Sequence, residues 1–119
     1  MGGYLTTHVL DIAHGIPASQ MTIQLWKLEA EEGRTLLKTV CTGANGRTEE
    51  PLLANETFTV GTYELIFAVG VYFAGLHVPT ADPPFLKDVP IRFSIADPDA
   101  HYHVPLLVSP WAYSTYRGS

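Results

Sequence analysis

Residues 101 to 119, HYHVPLLVSPWAYSTYRGS, bring two histidines, three tyrosines and an arginine up to the end of the chain. Terminal segments are usually frayed and tolerant of change, so this concentration of titratable and hydrogen-bonding groups points to chemistry. His101 and His103 are two residues apart. On a strand that spacing puts both on one face, about 7 Å from each other. A third histidine, His8, lies in LTTHVLD near the start. An H-x-H strand with a distant third imidazole is the ligand pattern of a zinc hydrolase. The competing reading is a set of surface histidines without a role.

Composition limits what those groups can serve. At 119 residues the chain fits one domain, spanning 1–119. Hydrophobic residues make up 46% and charged residues 16%, an ordinary globular balance. A net charge of -5 argues against a nucleic-acid partner, whose phosphates call for a clustered basic surface. Cys41 is the single cysteine, which excludes an intrachain disulfide and a cysteine-based zinc site. No apolar run approaches the roughly 20 residues of a membrane-spanning helix. The N-terminus lacks the basic region and apolar core of a secretory signal. The expectation is a soluble cytoplasmic protein with no membrane partner, or a periplasmic one if a leader preceded this numbering.

The elements that must position the histidines repeat with a period of two. VPIRFSI puts Val89, Ile91, Phe93 and Ile95 on one face, and TYELIFAV does the same with Tyr63, Leu65, Phe67 and Val69. LTTHVLD, TIQLWKLE and TLLKTVCT are three further strand-like runs. GIPA, EEGR, GANGR and DPDA supply turns between them. VYFAGLH, Val71 to His77, reads as one short helix before the proline-rich loop HVPTADPPF. Short strands at this spacing predict an antiparallel β-sandwich. In the tail, His101, His103, Pro105 and Leu107 share one face, and Tyr102, Val104, Leu106 and Val108 the other. The second row suits a core; a histidine row does not. After a turn at Ser109 and Pro110, Ala112, Ser114 and Tyr116 point one way and Tyr113 and Thr115 the other.

Three blocks, LTTHVLDIAHGIPA, GANGR and the C-terminal HYHVPLLVSPWAYSTYRGS, resemble the 5-hydroxyisourate hydrolase (transthyretin-related) family, and their spacing fits along essentially the whole chain. The resemblance implies an all-β, transthyretin-like antiparallel sandwich of two four-stranded sheets with one short helix. It implies a homotetramer with sites at the subunit interface. It also implies cofactor-free, metal-independent hydrolysis of 5-hydroxyisourate, the product of urate oxidation, to a ring-opened ureido-imidazoline. Matched motif by motif, the family's site falls on His8, Arg47, His103 and Tyr116. Transthyretin shares the fold, binds thyroid hormone without hydrolysis, and has Lys, Glu and Thr where this chain has His8, Arg47 and His103. A carrier of small aromatic ligands is therefore the alternative. Trp111 and Ala112 depart from the family's usual turn residues, and TEEPLLANETFTVGT is looser than its pattern.

The residue chemistry suits ring opening by water. Histidine, with an unperturbed pKa near 6.5, can take the water's proton; His8 and His103 both qualify, and sequence does not choose between them. Arg47 offers a planar fork of donors for a carbonyl edge and for a growing oxyanion. Tyr116 and Ser114 add hydroxyl contacts on one face. Arg117 with the terminal carboxylate is expected to lock the tail, and Gly118 to permit a sharp turn over a pocket. Ser119 is read as a contact from the terminus, since no nucleophile pattern accompanies it. His101 flanks His103. His14 and His77 are expected in loops, and Trp26 and Trp111 in the core or an interface.

Overall fold

The computed structural model describes residues 2–118, which form two packed β-sheets and one short helix. The strands are β1 (Tyr4–Asp11), β2 (Ile16–Pro17), β3 (Thr22–Leu28), β4 (Arg34–Cys41), β5 (Leu53–Ala54), β6 (Gly61–Phe67), β7 (Val89–Ile95), β8 (His101–Val108) and β9 (Tyr113–Thr115). One sheet has the order β4-β3-β6-β7. The other has β2-β1-β8-β9, with β5 also pairing with β1. The sandwich expected from the alternating pattern is present, and one of its sheets is widened by the two-residue strands β2 and β5.

Alternation sets which faces meet. Leu5 and Val9 of β1 are buried against Ile23, Leu25, Tyr63, Leu65, Phe67, Val89, Ile91 and Ile95 of the other sheet, together with Tyr102, Val104, Leu106 and Val108 of β8. Each fully buried aliphatic or aromatic side chain contributes about 1.5–3 kcal/mol relative to exposure. On the opposite face of β1 and β8, Thr6, His8, His101 and His103 are only partly buried.

Every strand pair is antiparallel except β1 with β8, which run parallel from Tyr4↔His101 to Asp11↔Val108. A parallel pair cannot be closed by a hairpin and needs a long crossover. Here the connection is the entire second sheet, so local pattern gave no sign of it.

The helix α1 (Val69–Gly75) starts two residues before the expected Val71. Val69 is fully buried, and the Gly70 N–H donates to the Lys87 carbonyl at 2.8 Å, which draws the first turn inward. The helix ends as His77 turns into the left-handed region at φ 59. The helix is tied to β1 through the fully buried Asp11, whose carboxylate accepts from the Ala13 and His14 backbone N–H groups at 3.0 Å, from His14 Nδ1 at 2.7 Å and from the Tyr72 hydroxyl at 2.8 Å. Burial first, then the bond to Asp11 and its charge, hold the Tyr72 hydroxyl well above the usual phenol range. His14 thus has a structural partner away from the histidine row.

Candidate active site

The outer face of the β1/β8 sheet gathers the candidate residues by register. On one side of β1, Arg47 forms an isolated antiparallel bridge with His8. On the other, His8 lies opposite Pro105 and Thr6 opposite His103. Across β8, Leu107 faces Ser114 and His103 faces Gly118, which sets Tyr116 opposite Pro105 between them. One row across the sheet therefore reads Arg47, His8, Pro105, Tyr116, and the adjacent row Thr6, His103, Gly118. Neighbouring strands lie about 4.8 Å apart, so side chains distant in sequence meet on one surface.

Local chemistry places Arg47. In GANGR the Gly46 N–H donates to the Gly43 carbonyl at 2.9 Å, the Gly43 N–H to the Arg47 carbonyl at 2.7 Å, and the Arg47 N–H to Asn45 Oδ1 at 2.9 Å. Gly46 has φ 79 and its carbonyl accepts from the Val9 N–H at 2.9 Å; a Cβ there would sit 2.5 Å from the Val9 carbonyl oxygen. Only glycine fits that turn and that approach. The same turn presents the Asn45 carbonyl to His8 Nε2 at 2.9 Å. A carbonyl only accepts, so His8 carries its proton on Nε2 and keeps Nδ1 as the free acceptor when neutral.

The tail is laid down by a hairpin. Ser109 starts the turn, its N–H donating to the Ala112 carbonyl at 2.8 Å and its Oγ accepting from the Trp111 and Ala112 N–H groups at 3.2 and 3.1 Å. Past β9, the Gly118 N–H donates to the His103 carbonyl at 2.8 Å. Gly118 does not have the positive φ that glycine alone adopts readily. Glycine is needed there for another reason: a Cβ would come within 2.7 Å of the His103 ring. The Arg117 guanidinium stacks 4.0 Å above the Tyr102 ring and donates to the His101 carbonyl at 3.5 Å. These two contacts anchor the tail to β8. Ser119, with the terminal carboxylate, lies outside the described residues.

An open cleft of about 730 Å³ is lined by His101, His103, Tyr116, Arg117 and Gly118, ample for a purine-sized molecule. Among the described residues its lining includes no Asp or Glu side chain, although the chain as a whole carries net charge -5. Burial first, and then the Arg47 guanidinium with the neighbouring His101 and His8 rings, hold His103 below the usual histidine pKa. His103 is therefore a neutral imidazole near pH 7, able to accept a proton beside a guanidinium. Ser114 lies one row beyond Tyr116, opposite Leu107, and is not part of the cleft lining. His77 is exposed at the end of α1. Trp111 is exposed in the hairpin turn, and Trp26 is partly buried under the Arg34 guanidinium at 4.0 Å. Among the described residues no three His, Cys, Asp or Glu side chains form a group that could hold a metal ion.

Two residues that drew no attention in the sequence join this site. Thr6 Oγ1 lies 2.7 Å from both His101 Nε2 and His103 Nδ1. Tyr4 stacks on His101 with ring centroids 4.0 Å apart. Both lie on the His8 face of β1 by simple alternation, but their partners on β8 follow only from the parallel register.

The sequence pattern of the HIUase/Transthyretin family matches residues 5–118. The chain is 55% identical to the 5-hydroxyisourate hydrolase 2 of Rhizobium meliloti (strain 1021), over 98% of this chain and 97% of that protein. It superposes with a TM-score of 0.94 and 50% identity on a crystal structure of (S)-allantoin synthase, spanning 99% of this chain and only 44% of that one. A sea bream transthyretin solved with thyroxine is similar at a TM-score of 0.84 and 28% identity, over 96% of this chain and 93% of that chain.

Proposed function

The chain belongs to the HIUase/Transthyretin family, and on that premise we propose that it hydrolyses 5-hydroxyisourate to 2-oxo-4-hydroxy-4-carboxy-5-ureidoimidazoline as one cofactor-free, metal-independent domain. The observation that carries this reading is the meeting of Arg47, His8, His103 and Tyr116 on adjacent rows of one sheet face. The carrier alternative is weaker, because identity to the hydrolase far exceeds identity to the thyroxine-bound transthyretin.

In the proposed reaction His103 takes a proton from water as the oxygen bonds to a ring carbonyl carbon. The charge that grows on the carbonyl oxygen falls to the Arg47 fork, whose donors suit an oxyanion. The C–N bond then breaks, the nitrogen gains a proton from the imidazolium, and the carbonyl carbon becomes a carboxylic acid that gives its proton to solvent. His8, held by the Asn45 carbonyl, orients water or substrate. Tyr116 supplies a hydroxyl to the flat ring, with Ser119 as a further contact. Arg117 and Gly118 keep the tail seated on β8.

Exposed Ile12, Ile16, Trp111 and Tyr113 gather toward the Asp11–Val108 end of the same sheet. Apolar surface of this kind suits coverage by further copies, and we place the working enzyme as a homotetramer with sites between subunits. No helix among the described residues is long and apolar enough to cross a membrane.

The reading is tested on freshly generated 5-hydroxyisourate, with protein dialysed exhaustively against a strong chelator and metal content measured. Catalysed decay is expected to survive; a lost rate that zinc restores would overturn the metal-independent scheme. Arg47→Lys keeps the charge and loses the two-pronged fork. Its kcat/KM is expected to fall at least ~10-fold, the worth of one charge-assisted contact. Wild-type kinetics in that variant would remove Arg47 from the site.

A further inference from the structure

The hydroxyl of Thr6 touches two imidazoles and has one proton to give. Its Oγ1 is 2.7 Å from His101 Nε2 and 2.7 Å from His103 Nδ1. A hydroxyl donates once and accepts through its lone pairs, so the two rings cannot both accept from it. If Thr6 donates to His101, then His103 must donate to Thr6 through Nδ1–H, which leaves the His103 Nε2 lone pair free. If Thr6 donates instead to His103, the neutral His103 ring carries its proton on Nε2 and has no lone pair there. We propose that Thr6 is a positioning residue for the reaction, coupling the tautomers of His101 and His103 so that His103 keeps its proton on Nδ1 and faces the cleft as a base through Nε2. This rests on the hydrolase reading given above.

The surroundings favour that division of roles. Tyr4 stacks flat on His101 and Arg117 donates to the His101 carbonyl, so the ring receiving the Thr6 proton is held at its face and its backbone. His103 faces Thr6 on β1 and Gly118 beyond β9, with the Arg47 guanidinium near it. An imidazole in water prefers the Nε2–H form, so the Nδ1–H form must be imposed. When Nε2 takes the proton from water, the Nδ1–H bond to Thr6 becomes charge-assisted and strengthens without any rearrangement. This is the part a third, orienting group plays behind a catalytic base.

Two measurements test the coupling. The first is the ring-nitrogen NMR spectrum of the full chain with ¹⁵N-labelled histidine, at a pH where the rings are neutral. The expected result is His101 and His103 both with the proton on Nδ1, and a shift of His103 towards Nε2–H in Thr6→Val. A wild-type His103 with its proton on Nε2 would overturn the proposal, whatever the activity. The second is kinetics: Thr6→Val should lose at least ~10-fold in kcat with KM little changed, and Thr6→Ser should restore most of it. Wild-type kcat in a folded Thr6→Val protein would also overturn it. If the wild-type protein itself fails to hydrolyse 5-hydroxyisourate, the functional reading fails, while the spectrum still decides the tautomers.

Discussion

His103→Asn is expected to lower kcat/KM by ~10²–10⁴-fold, the range that a positioned general base contributes. The fold should be retained, because His103 lies on the outer face of β8, whereas the core is carried by its neighbours Tyr102 and Val104. The pH profile gives the same residue a second signature. Burial, followed by the Arg47 guanidinium and the neighbouring His101 and His8 rings, lowers the His103 pKa. The proton-accepting form therefore persists below the ordinary histidine value of about 6.5. Wild-type kcat/KM should keep more than half of its plateau at pH 6.5 and fall further as the pH drops through the lowered value. That acid limb should be missing from the residual rate of His103→Asn. Near wild-type turnover in the variant, or an unchanged acid limb, would move the base to His8.

A chain ending at Thr115 is expected to fold and to lose most of its hydrolysis. The core rows of β6, β7 and β8 are untouched, and the Leu106↔Thr115 pairing that seats β9 remains. The deletion removes the Tyr116 hydroxyl, the Arg117 stack on Tyr102 and the Gly118 bridge to the His103 backbone. It opens one wall of the cleft and leaves His103 without its backbone partner on the β9 side. Thermal unfolding, sedimentation and turnover of the truncated and full chains separate these effects. A frayed end would cost little on removal. Full activity in a well-folded truncation would take the YRGS ending out of the active site.

The legible parts of the fold are those that local alternation controls. The opposition of His101 and His103 to Tyr102, Val104, Leu106 and Val108 follows from the period of a strand, and the structure buries the second row. The inward rows of β6 and β7 follow in the same way. The parallel β1–β8 register is set by packing between segments nearly a hundred residues apart, and no short window carries it. Thr6 escaped notice for that reason, since only this register brings it to His103. The strands β2 and β5 are two residues each, too short for a period to show. Arg47 was legible only through family resemblance; in composition GANGR is one more turn. At Gly118 the sequence suggests a turn, whereas the close approach of the His103 ring, which only the fold reveals, is what crowds a side chain there.

The most direct test follows the ultraviolet absorbance of freshly generated 5-hydroxyisourate at neutral pH, alone, with the wild-type chain, and with His103→Asn at equal concentration. The wild-type chain should accelerate the decay catalytically, with the rate proportional to enzyme and many turnovers per chain. The folded variant should leave decay close to the uncatalysed rate. A folded wild-type chain that does not speed decay, or that only binds the compound stoichiometrically, would contradict the hydrolase assignment and restore the carrier reading.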